Sequence, residues 1–473
     1  MGDIIMRTDP GVRHGPRFQS GPLWPTLALV LATLAWTSPP LHAVQGFHAA
    51  HPSIEPDSLE ALVASALESH PSLDALNRRI DAATARIPQV GALPDPTLMV
   101  GVMNLPLPEL DPSMEGMTML GIEYGQRLPP RGLRAVMEAE ARAEVGISEA
   151  EREILRWELR TRLSEAYFEL LLVEEALEVH HRTRASLEAF AAAARTAYAR
   201  GTAPQQDILR AQTEISALEE HLAELRQRRG TALAEVNALL GRASRDEVAP
   251  TIPSRLRALL AGDPGTGMLS DHLSGGELGA GFPSLAELES LALASRPERT
   301  RARSRAEAAG HALEAARIQR RPGVALTGGY AMRSGRADLF SLGVMVELPI
   351  FRGRKQDQAV VEAEHLRDAE VHDEGALARE IRNQVAASHS ELVRAREQVI
   401  LLEEGVIPQA RASVDAAAST YRAGEGDFLR VMEAQTLLYR NEIQLVHLVA
   451  EAGRALARLE QATGAEISPE TIP

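Results

Sequence analysis

Tyr421-Arg-Ala-Gly-Glu-Gly-Asp-Phe-Leu-Arg-Val-Met-Glu-Ala-Gln435 answers, 223 residues on, Tyr198-Ala-Arg-Gly-Thr-Ala-Pro-Gln-Gln-Asp-Ile-Leu-Arg-Ala-Gln212. Tyrosine, a glycine three residues later, and an Ala-Gln pair fall in register in both. Glycine is the residue that stops one helix and turns the chain into the next. Each stretch therefore reads as the tip of a helical hairpin, and the chain carries two of them.

Working outward, the correspondence continues. Ser58-Leu59 leads to His70-Pro71 as Ser284-Leu285 leads to Arg296-Pro297. Leu128-Pro129 is matched by Leu348-Pro349, Arg131-Gly132 by Arg352-Gly353, Glu169-Leu170 by Glu391-Leu392, and Gly241 by Gly464. The offset stays between 220 and 226, the mark of an internal duplication. The copies span about 58–241 and 284–464, with a Gly/Pro-rich stretch from 242 to 283 that reads as a loop.

Each copy has one order of elements. A helix opens it, at about 58–87 and 284–320. Two short extended segments follow, then a very long helix at about 133–199 and 354–422, and a return helix at about 205–240 and 428–462. Pro408 predicts a kink in the second long helix. A helix of about 67 residues spans roughly 100 Å, longer than a globular core can cover.

The strands alternate. Leu120, Ile122 and Tyr124 fall on one face, and Gly121, Glu123, Gly125 and Arg127 on the other. Leu342, Val344 and Val346 likewise oppose Ser341, Gly343 and Glu347. Their partners are expected at 96–105 and 324–333. Apolar residues facing small or charged ones over about ten positions is the pattern of a membrane barrel strand. On that reading Glu123, Arg127 and Glu347 line the barrel lumen. Four strands leave open edges, so the chain must oligomerise.

Composition agrees. The 473 residues hold 4% aromatics, no cysteine and a net charge of −15. Disulfides, thiolate chemistry, cysteine-held zinc and a cysteine-linked lipid anchor are excluded, and a nucleic-acid surface is disfavoured. Residues 1–43 read as a signal peptide. Arg7, Arg13 and Arg17 precede an apolar stretch from Leu23 to Trp36, and Leu41-His42-Ala43 offers a cleavage site. No later run of about 18 apolar residues exists, so membrane insertion must use strands.

These tips, together with Leu93-Pro-Asp-Pro96, Leu348-Pro349 and Arg352-Gly353, resemble the outer-membrane efflux protein family, the TolC family. The resemblance covers essentially all of 58–464. It implies a mainly α fold with a membrane β-barrel: a homotrimer whose four strands per subunit close a 12-stranded barrel above a periplasmic α-helical tunnel. It also implies an outer-membrane channel subunit, lodged in outer-membrane lipid, with no enzymatic activity and no cofactor. Its partners would be a periplasmic adaptor, also called a membrane fusion protein, and a proton-driven inner-membrane pump.

The resemblance places the periplasmic aperture at Asp207 and Glu433, about two turns up the return helices. The adaptor-contacting tips fall at Arg200, Gly201 and Thr202 and at Gly424, Glu425 and Gly426. Arg430 departs from the family, whose best-known member is acidic there. The alternative reading is a periplasmic helical-hairpin adaptor, a class that normally carries one hairpin between β-rich halves. An exported enzyme finds no support, since no HExxH or GxSxG motif is present.

Met99, Met103, Met114, Met117 and Met119 crowd the first strand pair. Thioethers suit copper(I) or silver, but methionines more often pack or face lipid, and no metal site is expected. His180-His181 and the set His42, His48 and His51 lack i, i+4 spacing on one helix face and read as surface. The stretch 93–106 looks most like family members that accompany heavy-metal pumps.

Overall fold

The computed structural model describes residues 58–107, 116–261 and 282–467. The signal-peptide reading, Met114 and the histidines at 42, 48 and 51 lie outside the described residues.

Each copy opens with two helices where one is expected. α1 (Leu59–Ser69) and α2 (Pro71–Gly91) meet at His70, and α6 (Leu285–Ser295) and α7 (Pro297–Ile318) meet at Arg296. The cause is local. A residue before proline is pushed out of the helical region, and His70 (ψ 122°) and Arg296 (ψ 125°) are both extended. Proline then starts the next helix, where its missing N–H costs nothing. Ser284 and Glu287 close a capping box ahead of α6.

The strands follow: β1 (Thr97–Met103), β2 (Met119–Leu128), β3 (Gly323–Arg333) and β4 (Leu339–Glu347). They form one antiparallel sheet in the order β1-β2-β3-β4, so β2 of the first copy pairs with β3 of the second. β1 and β4 are left as edges.

α3 (Leu133–Ala199) is a single helix of 67 residues, about 100 Å long. α4 (Gln205–Leu240) returns beside it. In the second copy the long helix is interrupted. α8 (Gln356–Ile400) passes through a six-residue π-helical turn, Leu401–Val406, into α9 (Ile407–Arg422). Pro408 cannot donate to the carbonyl four residues back, and the wider π turn just ahead of it absorbs the mismatch. α10 (Phe428–Thr463) completes the second hairpin. Both return helices end on a left-handed glycine, Gly241 and Gly464, each with φ 66°.

The stretch 242–283 is not all loop. It holds α5 (Ser254–Leu260), whose Leu256 is buried. The Tyr167 hydroxyl fastens this segment, donating to the Thr251 carbonyl at 2.9 Å and accepting from its N–H at 2.8 Å.

The main core gathers around α3. Leu163, Leu170 and Val173 are fully buried against Val236 of α4, Ile381 and Leu392 of α8, and Leu459 of α10. α3 and α10 approach so closely that a Cβ on Gly453 would lie 2.4 Å from the Phe168 ring. The repeated Glu-Leu pairs gain a use here. Glu169 accepts from Arg228 (2.7 Å) and Arg454 (3.1 Å), and Glu391 faces Arg458 at 3.4 Å, so both acids tie the long helices to α10.

Candidate functional site

The sheet has two chemically distinct faces, fixed by its register. Met99 pairs with Glu123, Glu123 with Gly329, and Gly329 with Ser341; one step along, Val100 pairs with Ile122, Ile122 with Tyr330, and Tyr330 with Phe340. Residues so paired share a face. The apolar face carries Leu98, Val100, Ile122, Tyr124, Leu326, Leu342 and Val344, all exposed, with Leu342 at 79%. A continuous apolar sheet face open to its surroundings marks a contact with lipid or protein.

The opposite face is made of glycine, alanine, serine and threonine, with Glu123, Arg127, Glu347 and several methionines. Small residues let neighbours lie flat on it. Thr97 folds over Gly125, Thr327 over Gly343, and Ser341 over Gly329, in each case where a Cβ would sit within 2.8 Å. The three charged residues singled out in the sequence therefore do share one face.

Where sheet meets helices, charge and hydropathy change together. Leu348, Ile350 and Phe351 are 65%, 77% and 71% exposed. Arg352, Arg354 and Lys355 follow directly, and Arg131 and Arg134 at the start of α3 and Arg320 and Arg321 after α7 occupy the same junction. A basic collar below an apolar band, in a chain of net charge −15, is the arrangement of a membrane–water interface.

At the far end of the helices both tip glycines take positive φ, 72° at Gly201 and 80° at Gly424. Gly426 is required differently: a Cβ there would lie 3.0 Å from the Tyr421 amide nitrogen. Arg200, Thr202 and Glu425 are exposed. Asp207 lies in the first turn of α4, not two turns up, and is half-buried. It accepts a hydrogen bond from the Tyr421 hydroxyl at 3.1 Å.

That bond joins the first hairpin to the second. Tyr421 packs on Phe428, their rings 5.1 Å apart. Burial, and then the carboxylate beside it, push the Tyr421 phenol up to about 12. Tyr421 stands in the quoted motif, yet only the tertiary contact shows its use. Its repeat counterpart Tyr198 is 48% exposed. Glu433, in the second turn of α10, is also exposed. Asp207 and Glu433 are not brought together within the subunit by any contact.

His180 corrects the surface reading. It is fully buried on α3, and neither ring nitrogen has a hydrogen-bond partner. Burial, then His181, hold it below the usual histidine range. His181 is exposed. Among the described residues no group of three or more His, Cys, Asp or Glu could hold a metal ion.

Two long helical hairpins, repeated with one strand pair each in a single sheet, are matched by the model of the outer membrane efflux protein family over residues 62–242 and 288–465. The chain belongs to that family. It is an outer-membrane efflux channel subunit with a periplasmic helical domain, and it is not an enzyme. Channels of this family form trimers and work with efflux pumps. The adaptor reading falls with this assignment.

Similar proteins include the cobalt-zinc-cadmium resistance protein CzcC of Cupriavidus metallidurans, 23% identical over 86% of this chain and 90% of that protein. Among solved structures, CusC has a TM-score of 0.70 at 17% identity, covering 86% of this chain and 92% of that one. VceC of Vibrio cholerae has a TM-score of 0.68 at 21% identity, covering 86% and 96%. At these identities the structures speak for the fold.

Proposed function

We propose that three copies of this chain close one 12-stranded barrel. The apolar sheet face meets outer-membrane lipid, and Glu123, Arg127 and Glu347 line the lumen. The observation that carries this is the sheet itself, whose apolar face is exposed and whose edges β1 and β4 are unpaired within the chain. Lipid cannot satisfy edge N–H and C=O groups, so edge must meet edge between subunits. The barrel rather than an acyl chain holds the protein in the membrane.

The helices extend about 100 Å from the sheet and end at the tips 200–202 and 424–426. These exposed tips dock a periplasmic adaptor, which links the channel to a proton-driven inner-membrane pump. Asp207 and Glu433 lie near the aperture and favour cations there. Heavy-metal cations are the cargo this reading favours, supported by the likeness to CzcC. Reconstitution tests the channel: the purified protein should run as a trimer in mild detergent and conduct ions across a planar bilayer. A stable monomer that retains its full β content would exclude the barrel. A photoreactive group at Thr202 or Glu425 should cross-link to the adaptor in cells.

A further inference from the structure

We propose that the basic collar between sheet and helices binds the headgroups of anionic phospholipids, such as phosphatidylglycerol, in the inner leaflet of the outer membrane. This rests on the barrel reading above, in which the apolar sheet face meets lipid.

Contacts between helix ends bring the collar to one level. Arg320 and Arg352 both pair with Asp357, at 2.8 and 3.3 Å, which joins the end of α7 to the start of α8. Leu133 and Val136 of α3 pack on Ala315 and Ile318 of α7. Arg134 donates to the Gly91 carbonyl, at the end of α2, at 3.0 Å. Four more cations stand at these same ends: Arg131, Arg321, Arg354 and Lys355. All four are exposed. Among the described residues none of them makes an ion pair, and the acids at this level are Asp95 and the already shared Asp357.

Electrostatics within the subunit does not account for them. Arg131, Arg354 and Lys355 directly precede α3 and α8. The start of a helix carries positive partial charge, so cations there are unfavourable unless an anion from outside joins them. The chain as a whole carries −15 and would be repelled by an anionic bilayer. A local surplus of positive charge where the protein enters that bilayer reverses the repulsion.

The neighbouring residues say which anion. The outward row of β4, Leu342, Val344 and Val346, runs on into Leu348, Ile350 and Phe351, all exposed. Arg352, Arg354 and Lys355 come next. A molecule lying along this seam meets apolar surface first and then cations, the order of acyl chain and phosphate in a phospholipid. The helices are periplasmic, so the collar meets the inner leaflet, which is built of phospholipid. A headgroup with net negative charge gains from every cation, whereas a zwitterionic one brings an ammonium that they repel.

The test titrates purified full-length trimer in mild detergent with phosphatidylglycerol or phosphatidylcholine of identical acyl chains, counting bound lipid by native mass spectrometry. Phosphatidylglycerol should bind at least tenfold more tightly, and the preference should shrink as salt is raised. Each Lys or Arg near an anionic surface contributes about a fivefold factor. Replacing Arg131, Arg321, Arg354 and Lys355 together with glutamine breaks no ion pair and should weaken phosphatidylglycerol at least a hundredfold. Replacing Arg195, Arg226, Arg379 and Arg422, exposed on the helices away from the sheet, removes the same charge and should leave affinity within a few-fold. Lys355 is the only lysine in the chain, so its acetylation, mapped by peptide, should be slower in phosphatidylglycerol vesicles than in phosphatidylcholine vesicles. Equal affinity for both lipids, or a collar variant with unchanged preference, overturns the proposal and leaves the barrel standing. Displacement of phosphatidylglycerol by inorganic phosphate at equal concentration also overturns it, since the collar would then be a site for free anions. A protein that is monomeric and binds neither lipid would overturn the barrel reading itself.

Discussion

Tyr421→Phe removes one oxygen and leaves the ring on Phe428, so its effect isolates the bond to Asp207. A hydrogen bond to a charged group contributes about 1.5–3 kcal/mol. Solvent reaches the half-buried Asp207, so the bottom of that range, about 1.5 kcal/mol, is the working value. A bond of this size made only while the tips are closed shifts the closed–open equilibrium about tenfold, and three such bonds in a trimer that opens as a unit shift it on the order of a thousandfold. In planar bilayers the variant should therefore open far more often, with longer dwell in the higher-conductance level. Asp207→Asn keeps an acceptor oxygen and should change much less; Asp207→Ala should behave like Tyr421→Phe. The tie should also survive alkaline buffer, since the phenol is held neutral up to about 12. Openings that are unchanged in both Tyr421→Phe and Asp207→Ala would refute the reasoning and show that this contact does not hold the tips together.

Other outcomes follow from other parts of the chain. His180 is buried and held neutral, so the unfolded chain takes up a proton that the fold resists; stability should fall as pH drops below about 6.5, and His180→Leu should flatten that loss in thermal melts at pH 5.5 and 7.5. Gly453→Val presses a branched side chain onto Phe168 and should destabilise the helical domain by about 1–3 kcal/mol, read as a lower denaturant midpoint. Ile350→Asp with Phe351→Asp places charge at the band above the basic collar and should reduce the outer-membrane fraction while leaving the helical content of the protein unchanged. Replacing Asp207 and Glu433 together with alanine should lower cation selectivity and weaken divalent block from the tip side.

Much of this architecture was readable from spacing alone. The bounds of α3 and α4 follow from unbroken helical periodicity between glycine signals, and both tip glycines take the positive φ that a turn there demands. Strand parity was readable as well, because a period of two places Ile122 and Glu123 on opposite faces whatever their partners. What escaped the sequence reading depended on neighbours far along the chain. Tyr167 gives no sign that it fastens Thr251, nor Tyr421 that it reaches Asp207. His180 lacks any ligand spacing and so reads as surface, yet packing encloses it. The breaks at His70 and Arg296 were written locally, in the proline that follows each, but continuous apolar periodicity on either side masked them. Pro408 announced an irregularity without its form, since a kink and a π turn relieve the same missing hydrogen bond.

Single cysteines on the two faces of the sheet test the central claim most directly, because the sequence contains no cysteine of its own. One series replaces Glu123, Gly125 or Ser341; the other replaces Ile122, Leu342 or Val344. Each variant, in intact outer membranes, is treated with a charged, membrane-impermeant thiol reagent. The account predicts rapid labelling at 123, 125 and 341, with a stepwise fall in conductance as each subunit reacts, and protection at 122, 342 and 344. Labelling at 122, 342 and 344 with protection at 123, 125 and 341 would contradict it, as would equal labelling of both faces.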